Sequence, residues 1–162
     1  MLVIGIDPGT ATTGYGLLRE LPDGSLQPVT YGAILTSPNL PLSERLLDLH
    51  KQLTDLLLLH RPESAAVEKL FFQRNVRTAL SVGQARGVIL LTLAEHGLSV
   101  AEYTPLEVKQ AVVGYGAAEK RQVQQMVRTL LALDDIPRPD DAADALAIAI
   151  CHLHSTRLMN LI

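Results

Sequence analysis

Residues 142–150 constrain the fold more than any other stretch of this 162-residue chain. Read as a helix, Ala142-Ala143-Asp144-Ala145-Leu146-Ala147-Ile148-Ala149-Ile150 is apolar on every side except at Asp144 and, just before it, Asp141. A helix without a polar face must be enclosed by other elements, not laid on a surface. At 100° per residue, positions i and i+3 lie about 60° apart, so both carboxylates project from one face. Burying an ionised carboxylate without a partner is strongly unfavourable or forces its protonation. No Lys or Arg lies within residues 141–152 to compensate, which makes a bound divalent cation the natural counter-charge.

The remaining pattern supplies the enclosure. Leu2-Val3-Ile4-Gly5-Ile6-Asp7 is an apolar run ending at Pro8-Gly9, which reads as a buried strand with a carboxylate at its C-terminal tip. Residues 14–19 and 28–36 are two further strands around the turn Leu21-Pro22-Asp23-Gly24-Ser25, so the chain opens as an antiparallel meander. Residues 42–60 carry Leu42, Leu46, Leu49, Leu53, Leu56 and Leu57 at helical spacing. A short strand at 64–68 again ends in a carboxylate, Glu68, and a helix at 76–95 follows. A last strand at 98–103 precedes helices at 105–112, 118–131 and 141–152. A meander followed by alternating strands and helices predicts an α/β sheet with helices packed on it. The length suits one core, so a single domain over 1–154 is expected, with 155–162 a short C-terminal tail.

Four acidic residues occupy positions where an apolar residue is the default. Asp7 and Glu68 end strands, and Asp141 and Asp144 share a helix face. Taken singly, each has an ordinary explanation. Asp7 before Pro8-Gly9 suits a turn, Glu68 can pair with Lys69, and Asp140 or Asp141 suits a helix N-cap. Asp144 lies past the first turn, where capping does not explain it. If the strands of Asp7 and Glu68 are parallel neighbours, their tips meet at the sheet edge where α/β sheets bind ligands. An all-carboxylate set suits Mg²⁺ or Mn²⁺. Two such ions would activate a water and stabilise the leaving oxygen of a displacement at phosphorus, so phosphodiester hydrolysis is the first expectation. His152 and His154 diverge on their helix and read as structural.

The charge balance, 14 Lys and Arg against 17 Asp and Glu for a net −3, argues mildly against an indiscriminate nucleic-acid binder. Its distribution reverses that inference. Residues 69–128 hold eight basic and four acidic side chains, a +4 segment, leaving −7 in the remainder, which contains the four candidate ligands. Immediately after Glu68, Phe71, Arg74 and Arg77 combine a ring able to stack on an unpaired base with guanidinium groups able to hold phosphates. The sole cysteine, Cys151, excludes an intramolecular disulfide and fits a reducing cytosol. Neither a secretory signal nor a membrane span is expected, and a cytoplasmic location follows.

The same residues carry a resemblance. Gly5-Ile6-Asp7-Pro8-Gly9-Thr10, Thr13-Gly14-Tyr15-Gly16, Glu68 followed by Phe71, Gly83-Gln84-Ala85-Arg86-Gly87, Val108-Lys109-Gln110, Ala118-Glu119-Lys120 and Asp141-Ala142-Ala143-Asp144 closely resemble the RuvC family of Holliday-junction resolvases over nearly the whole chain. The resemblance implies an RNase H-like fold: a five-stranded mixed sheet with helices on both faces. It implies a homodimer that nicks two symmetric strands of a four-way DNA junction in recombination and repair, working with a branch-migration helicase complex of the RuvA and RuvB type. By the motif match, Asp7, Glu68, Asp141 and Asp144 would be catalytic metal ligands. Lys109 and Lys120 would contact DNA, Phe71 would stack at the junction, and the helix after Glu68 would be the dimer element, with Leu90 on its contact face. Family members often carry a longer basic C-terminal extension than residues 155–162 provide.

Three other readings compete. Actin-like ATPases and sugar kinases share Asp-x-Gly-Thr but need a duplicated domain. A related RNase H-like nuclease that processes ribosomal RNA shares the opening strand, yet is not expected to combine the Gln84-Ala85-Arg86-Gly87, Val108-Lys109-Gln110 and Asp141-Ala142-Ala143-Asp144 segments. A non-catalytic module would have no use for the carboxylate set.

Overall fold

The computed structural model of the chain describes residues 1–70 and 76–160. The elements run β1 (Leu2–Asp7), β2 (Thr12–Glu20), β3 (Leu26–Leu35), α1 (Leu42–His60), β4 (Ser64–Glu68), α2 (Val76–Glu95), β5 (Ser99–Tyr103), α3 (Pro105–Val113), α4 (Lys120–Leu130) and α5 (Asp140–Asn160). The strands form one mixed sheet in the order β3-β2-β1-β4-β5. β1, β2 and β3 pair antiparallel, while β4 lies parallel to both β1 and β5. The meander closes through Asp23, whose carboxylate accepts from the Ser25 N–H and hydroxyl, and through Gly24, whose φ of 84° lies in the left-handed region that glycine tolerates.

Period-two alternation along β1 divides the core in two. Leu2, Ile4 and Ile6 face α1 and α2, packing with Leu49, Leu53 and Leu57 of α1 and Ala85, Ile89 and Leu93 of α2. Val3 faces the opposite layer with Val108 and Val112 of α3, Val123 and Val127 of α4, and the length of α5. Helices therefore cover both faces, as expected. Each large aliphatic side chain buried in this way contributes about 2 kcal/mol.

The helix without a polar face is the most enclosed element, its residues from Ala145 to Ile150 all 1% exposed or less. It reaches the sheet because glycines lie beneath it. A Cβ on Gly5 would lie 2.2 Å from the Ala145 carbonyl oxygen, and one on Gly16 2.7 Å from the Leu146 side chain. The helix also runs past His152 to Asn160, farther than the sequence pattern suggests. Ser155 and Thr156 return their hydroxyls to the carbonyls of Cys151 and His152, and Arg157 binds Glu20 and the Gly24 carbonyl on the meander. Among the described residues no helix is long and apolar enough to cross a membrane.

Candidate active site

Backbone register brings the carboxylates together. Asp7, at the tip of β1, pairs with Gly14 of β2. On its other side, the parallel register that sets Ile6 against Val67 brings Glu68 level with it at the tip of β4. A Cβ on Gly14 would lie 2.0 Å from the Asp141 carbonyl oxygen, so the bare strand lets the first turn of α5 rest beside Asp7. Asp144 follows one turn later. The loop between β1 and β2 is tied by Thr13, whose hydroxyl donates to the Gly9 carbonyl at 2.7 Å, and by Thr36, whose hydroxyl donates to the Thr10 carbonyl at 2.6 Å.

The electrostatics record the crowding. Burial, then the fields of Glu68, Asp144 and Asp141, push the Asp7 carboxyl up to about 8, so it is protonated at neutral pH and hydrogen-bonds the Glu68 carboxylate. Burial and then Asp144 raise Glu68, against the bond from Asp7 and the ammonium groups of Lys120 and Lys109. Burial also raises Asp144, despite its bond to Lys120. A cluster of carboxyls that raise one another in this way is short of positive charge, and its oxygen-only donors are those that hard divalent cations prefer. The residues present therefore fit such an ion. Among the described residues no three acidic, His or Cys side chains already stand in a metal-holding arrangement. Asp7 is engaged by Glu68, and Asp144 by Lys120.

The two lysines complete the cleft. Lys109 lies on α3, whose start is set by a reciprocal capping box between Thr104 and Glu107 with Pro105 in the first turn. Lys120 opens α4 behind Glu119, whose N–H donates to Gln122 Oε1 at 2.8 Å. Together with Glu68, Asp144 and Val108 they line a cleft of about 240 Å³. Lys120 Nζ lies 3.2 Å from Asp144 Oδ2. Burial works against its ammonium, but the bond to Asp144 and the fields of Asp144, Asp140 and Asp141 outweigh it and hold Lys120 above its ordinary value. If the cleft hydrolyses phosphodiesters as the sequence leads one to expect, Lys109→Ala should lower that cleavage by about 10- to 100-fold with an unchanged melting temperature. Single-turnover kinetics beside a thermal melt checks this, and full activity would remove Lys109 from the site.

Other sequence expectations fare differently. Arg77 is exposed in the first turn of α2, whereas Phe71 and Arg74 lie outside the described residues. Asp140 is the first residue of α5 and not its N-cap. Its carboxylate turns sideways to Arg138 at 3.4 Å and Lys120 at 3.8 Å, because a lateral cation offers a charged bond. His152 is structural, as expected, placed between Ser64 Oγ at 3.1 Å and the Tyr103 hydroxyl at 2.9 Å. His154 bonds the Ala111 carbonyl. Cys151 is buried, and burial pushes its thiol up to about 11, where it is inert.

Arg86 joins two strands of the sheet. Its Nε donates to the Glu68 carbonyl oxygen at 3.3 Å while its guanidinium pairs with Glu102 of β5, so it secures the tip of β4. The Gly83-Gln84-Ala85-Arg86-Gly87 segment was the available signal, but helical spacing alone does not show which strand an arginine reaches.

Known proteins share both the sequence and the fold. The sequence pattern described as "Crossover junction endodeoxyribonuclease RuvC" matches residues 3–152. A relative of that description from Syntrophomonas wolfei is 59% identical over 158 residues, spanning 98% of this chain and 91% of its own. Thermus thermophilus RuvC superposes with a TM-score of 0.91 at 40% identity, covering 98% of this chain and 97% of its own. The structure of T. thermophilus RuvC in complex with Holliday junction substrate superposes with a TM-score of 0.89 at 37% identity, covering 98% and 96%. With its mixed five-stranded RNase H-like sheet, this chain belongs to the RuvC family of crossover junction endodeoxyribonucleases.

Proposed function

We propose that this protein is a structure-selective endonuclease that resolves four-way DNA junctions by paired symmetric nicks, with Asp7, Glu68, Asp141 and Asp144 as its catalytic carboxylates. The observation that carries this reading is the convergence of those four groups at the tips of β1 and β4 under the start of α5, in a chain of this family. Family membership brings a divalent-metal requirement, and the four carboxylates would hold Mg²⁺ or Mn²⁺, two ions per site. When bound, such ions supply Lewis-acid activation of a water and stabilisation of the leaving oxygen.

The protein's own groups do the rest. The strand tips and α5 fix the carboxylates on rigid elements, so little reorganisation is left for the reaction. Lys109 and Lys120 offset the repulsion that an acidic cluster exerts on a phosphodiester and draw the scissile phosphate into the cleft. Phe71, Arg74 and Arg77 are proposed to hold the unpaired strand at the junction.

A junction with two-fold symmetry calls for two sites related by the same symmetry, so a homodimer is part of the proposal. On α2, Leu80 and Leu91 are 63% and 58% exposed. With Gln84 and Gly87 they form a stripe at spacings of four, three and four, and a Cβ on Gly87 would meet nothing. Leu90, expected on the contact face, is half-buried and also packs against the core below. Leu91 is therefore the cleaner position for a charge, and Leu91→Glu is expected to yield a monomer that no longer makes paired nicks. Sedimentation together with nick mapping checks this, and a fully active monomer would contradict the dimer. A cytoplasmic setting and cooperation with a RuvA- and RuvB-type helicase complex complete the reading.

Incubation with a mobile four-way junction, the matching linear duplex and a structured RNA, with and without Mg²⁺ or Mn²⁺, tests the function. Paired nicks in the junction alone, and only with metal, are expected. RNA cleavage with an intact junction would overturn the proposal. The ribosomal-RNA alternative is not favoured, because the family match runs from the first strand through Asp144.

A further inference from the structure

We infer that Lys120 is an internal counter-cation of the site, held by Asp144 when no divalent ion is bound and released to substrate phosphate when one is, so that metal and junction DNA bind with positive coupling. This rests on the metal-dependent nuclease reading above and adds to it a specific competition within the chain.

The geometry supports an exchangeable pair. Lys120 Nζ stands 3.2 Å from Asp144 Oδ2, close enough that a divalent ion taking that oxygen would be forced against a like charge. The Lys120 backbone is fixed at the start of α4, where the Glu119 N–H donates to Gln122 Oε1 and the Glu119 carbonyl accepts from the Gln122 and Val123 N–H groups, while its side chain is 57% exposed and carries a flexible four-carbon stem. The ammonium can therefore move without disturbing the fold. A second carboxylate waits beside it, Asp140 Oδ2 at 3.8 Å, itself anchored through its other oxygen to Arg138 Nη1 at 3.4 Å. Asp140 keeps Lys120 at the mouth of the cleft when Asp144 lets go. Lys109 lines the same cleft and acts on Glu68 through space, but takes no part in the Asp144 pair.

Reciprocity follows from linkage. An ion on Asp144 frees Lys120 for phosphate, and a phosphate that draws Lys120 away opens Asp144 to the ion by the same factor.

The test compares wild type, Lys120→Gln and Lys109→Gln in Mn²⁺ binding to the DNA-free protein, read by the electron paramagnetic resonance of free Mn²⁺. Lys120→Gln is expected to bind Mn²⁺ about three- to tenfold more tightly than wild type, and Lys109→Gln less than about twofold. Junction affinity is then measured in EDTA and in Ca²⁺, which replaces Mn²⁺ to keep the DNA intact. Ca²⁺ is expected to tighten junction binding by wild type more than by Lys120→Gln. Equal gains in Mn²⁺ affinity from both substitutions would reduce the effect to the general field of the cleft and overturn the inference. So would unchanged Mn²⁺ affinity in Lys120→Gln, or equal Ca²⁺ responses, and each of these leaves the metal-dependent reading in place. Absence of Mn²⁺ binding by wild type would remove that reading and this inference together.

Discussion

Asp7→Asn is expected to lower junction cleavage by roughly a thousandfold or more while making the metal-free protein more stable at pH 8. The first effect follows from the position of Asp7, between Gly14 and Glu68 and next to Asp141, where an amide would replace one of the anionic donors proposed to hold a divalent ion. The second follows from linkage. The folded protein holds the Asp7 proton up to about pH 8, whereas the ordinary value is 3.8. Below about pH 4 both states are protonated and Asp7 carries no penalty. As pH rises from 4 to 8 the unfolded chain releases a proton that the folded chain retains, so folding loses stability through that window and levels off above it. Asn never ionises and escapes the loss. Because neighbouring carboxylates share the strain, a gain of about 2 kcal/mol at pH 8 is expected, roughly 5 °C in melting temperature. Melts of both proteins in EDTA from pH 4 to 9 check the sign. A difference that shrinks with rising pH would show that the carboxylates are not crowded. Saturating Mg²⁺ should raise the wild-type melt and leave Asp7→Asn nearly unmoved.

Gly5→Ala is expected to destabilise the protein by about 3 kcal/mol or more, measured by urea unfolding. Alanine in place of a strand glycine ordinarily helps, by about 0.5–1 kcal/mol, so even the sign is diagnostic. The reason lies in the contact with α5. The new Cβ would sit 2.2 Å from the Ala145 carbonyl oxygen and 2.7 Å from the Ala149 nitrogen, both backbone atoms of a helix enclosed by α3, α4 and the sheet. Neither can give way as a flexible side-chain end would, so the helix must lift. Lifting α5 would also carry Asp141 and Asp144 away from Asp7 and Glu68. Weakened metal binding in the fraction that still folds is the accompanying expectation, and a neutral or stabilising Gly5→Ala would refute the close packing of helix on sheet.

Several elements were legible from residues alone because their causes are local. The leucine spacing of α1, the apolar run of β1 and the Asp23-Gly24 turn each follow from a period or a turn chemistry within about twenty residues. The carboxylates stood out for a related reason: a charge in an otherwise apolar run needs an explanation wherever the run packs. Leu90 is half-buried against the core below α2, a placement no helical period specifies, because a helix that is apolar over more than one face leaves its orientation to its partners. Asp140 suits a cap from the local chain, but its carboxylate is taken by two cations, Arg138 two residues before it and Lys120 twenty residues before it, and only the second lies beyond the reach of a local rule.

The amino-acid sequence alone requires that an all-apolar helix be enclosed and that its two aspartates receive positive charge, since burial energetics act on residue type. It also showed through its motifs which family the chain resembles. The folded chain adds that β1 and β4 are parallel neighbours, that Gly5, Gly14 and Gly16 are the seat of α5, and that Asp144 is held by Lys120. Those outcomes depend on pairings between residues far apart in the chain, whose geometry no local period specifies.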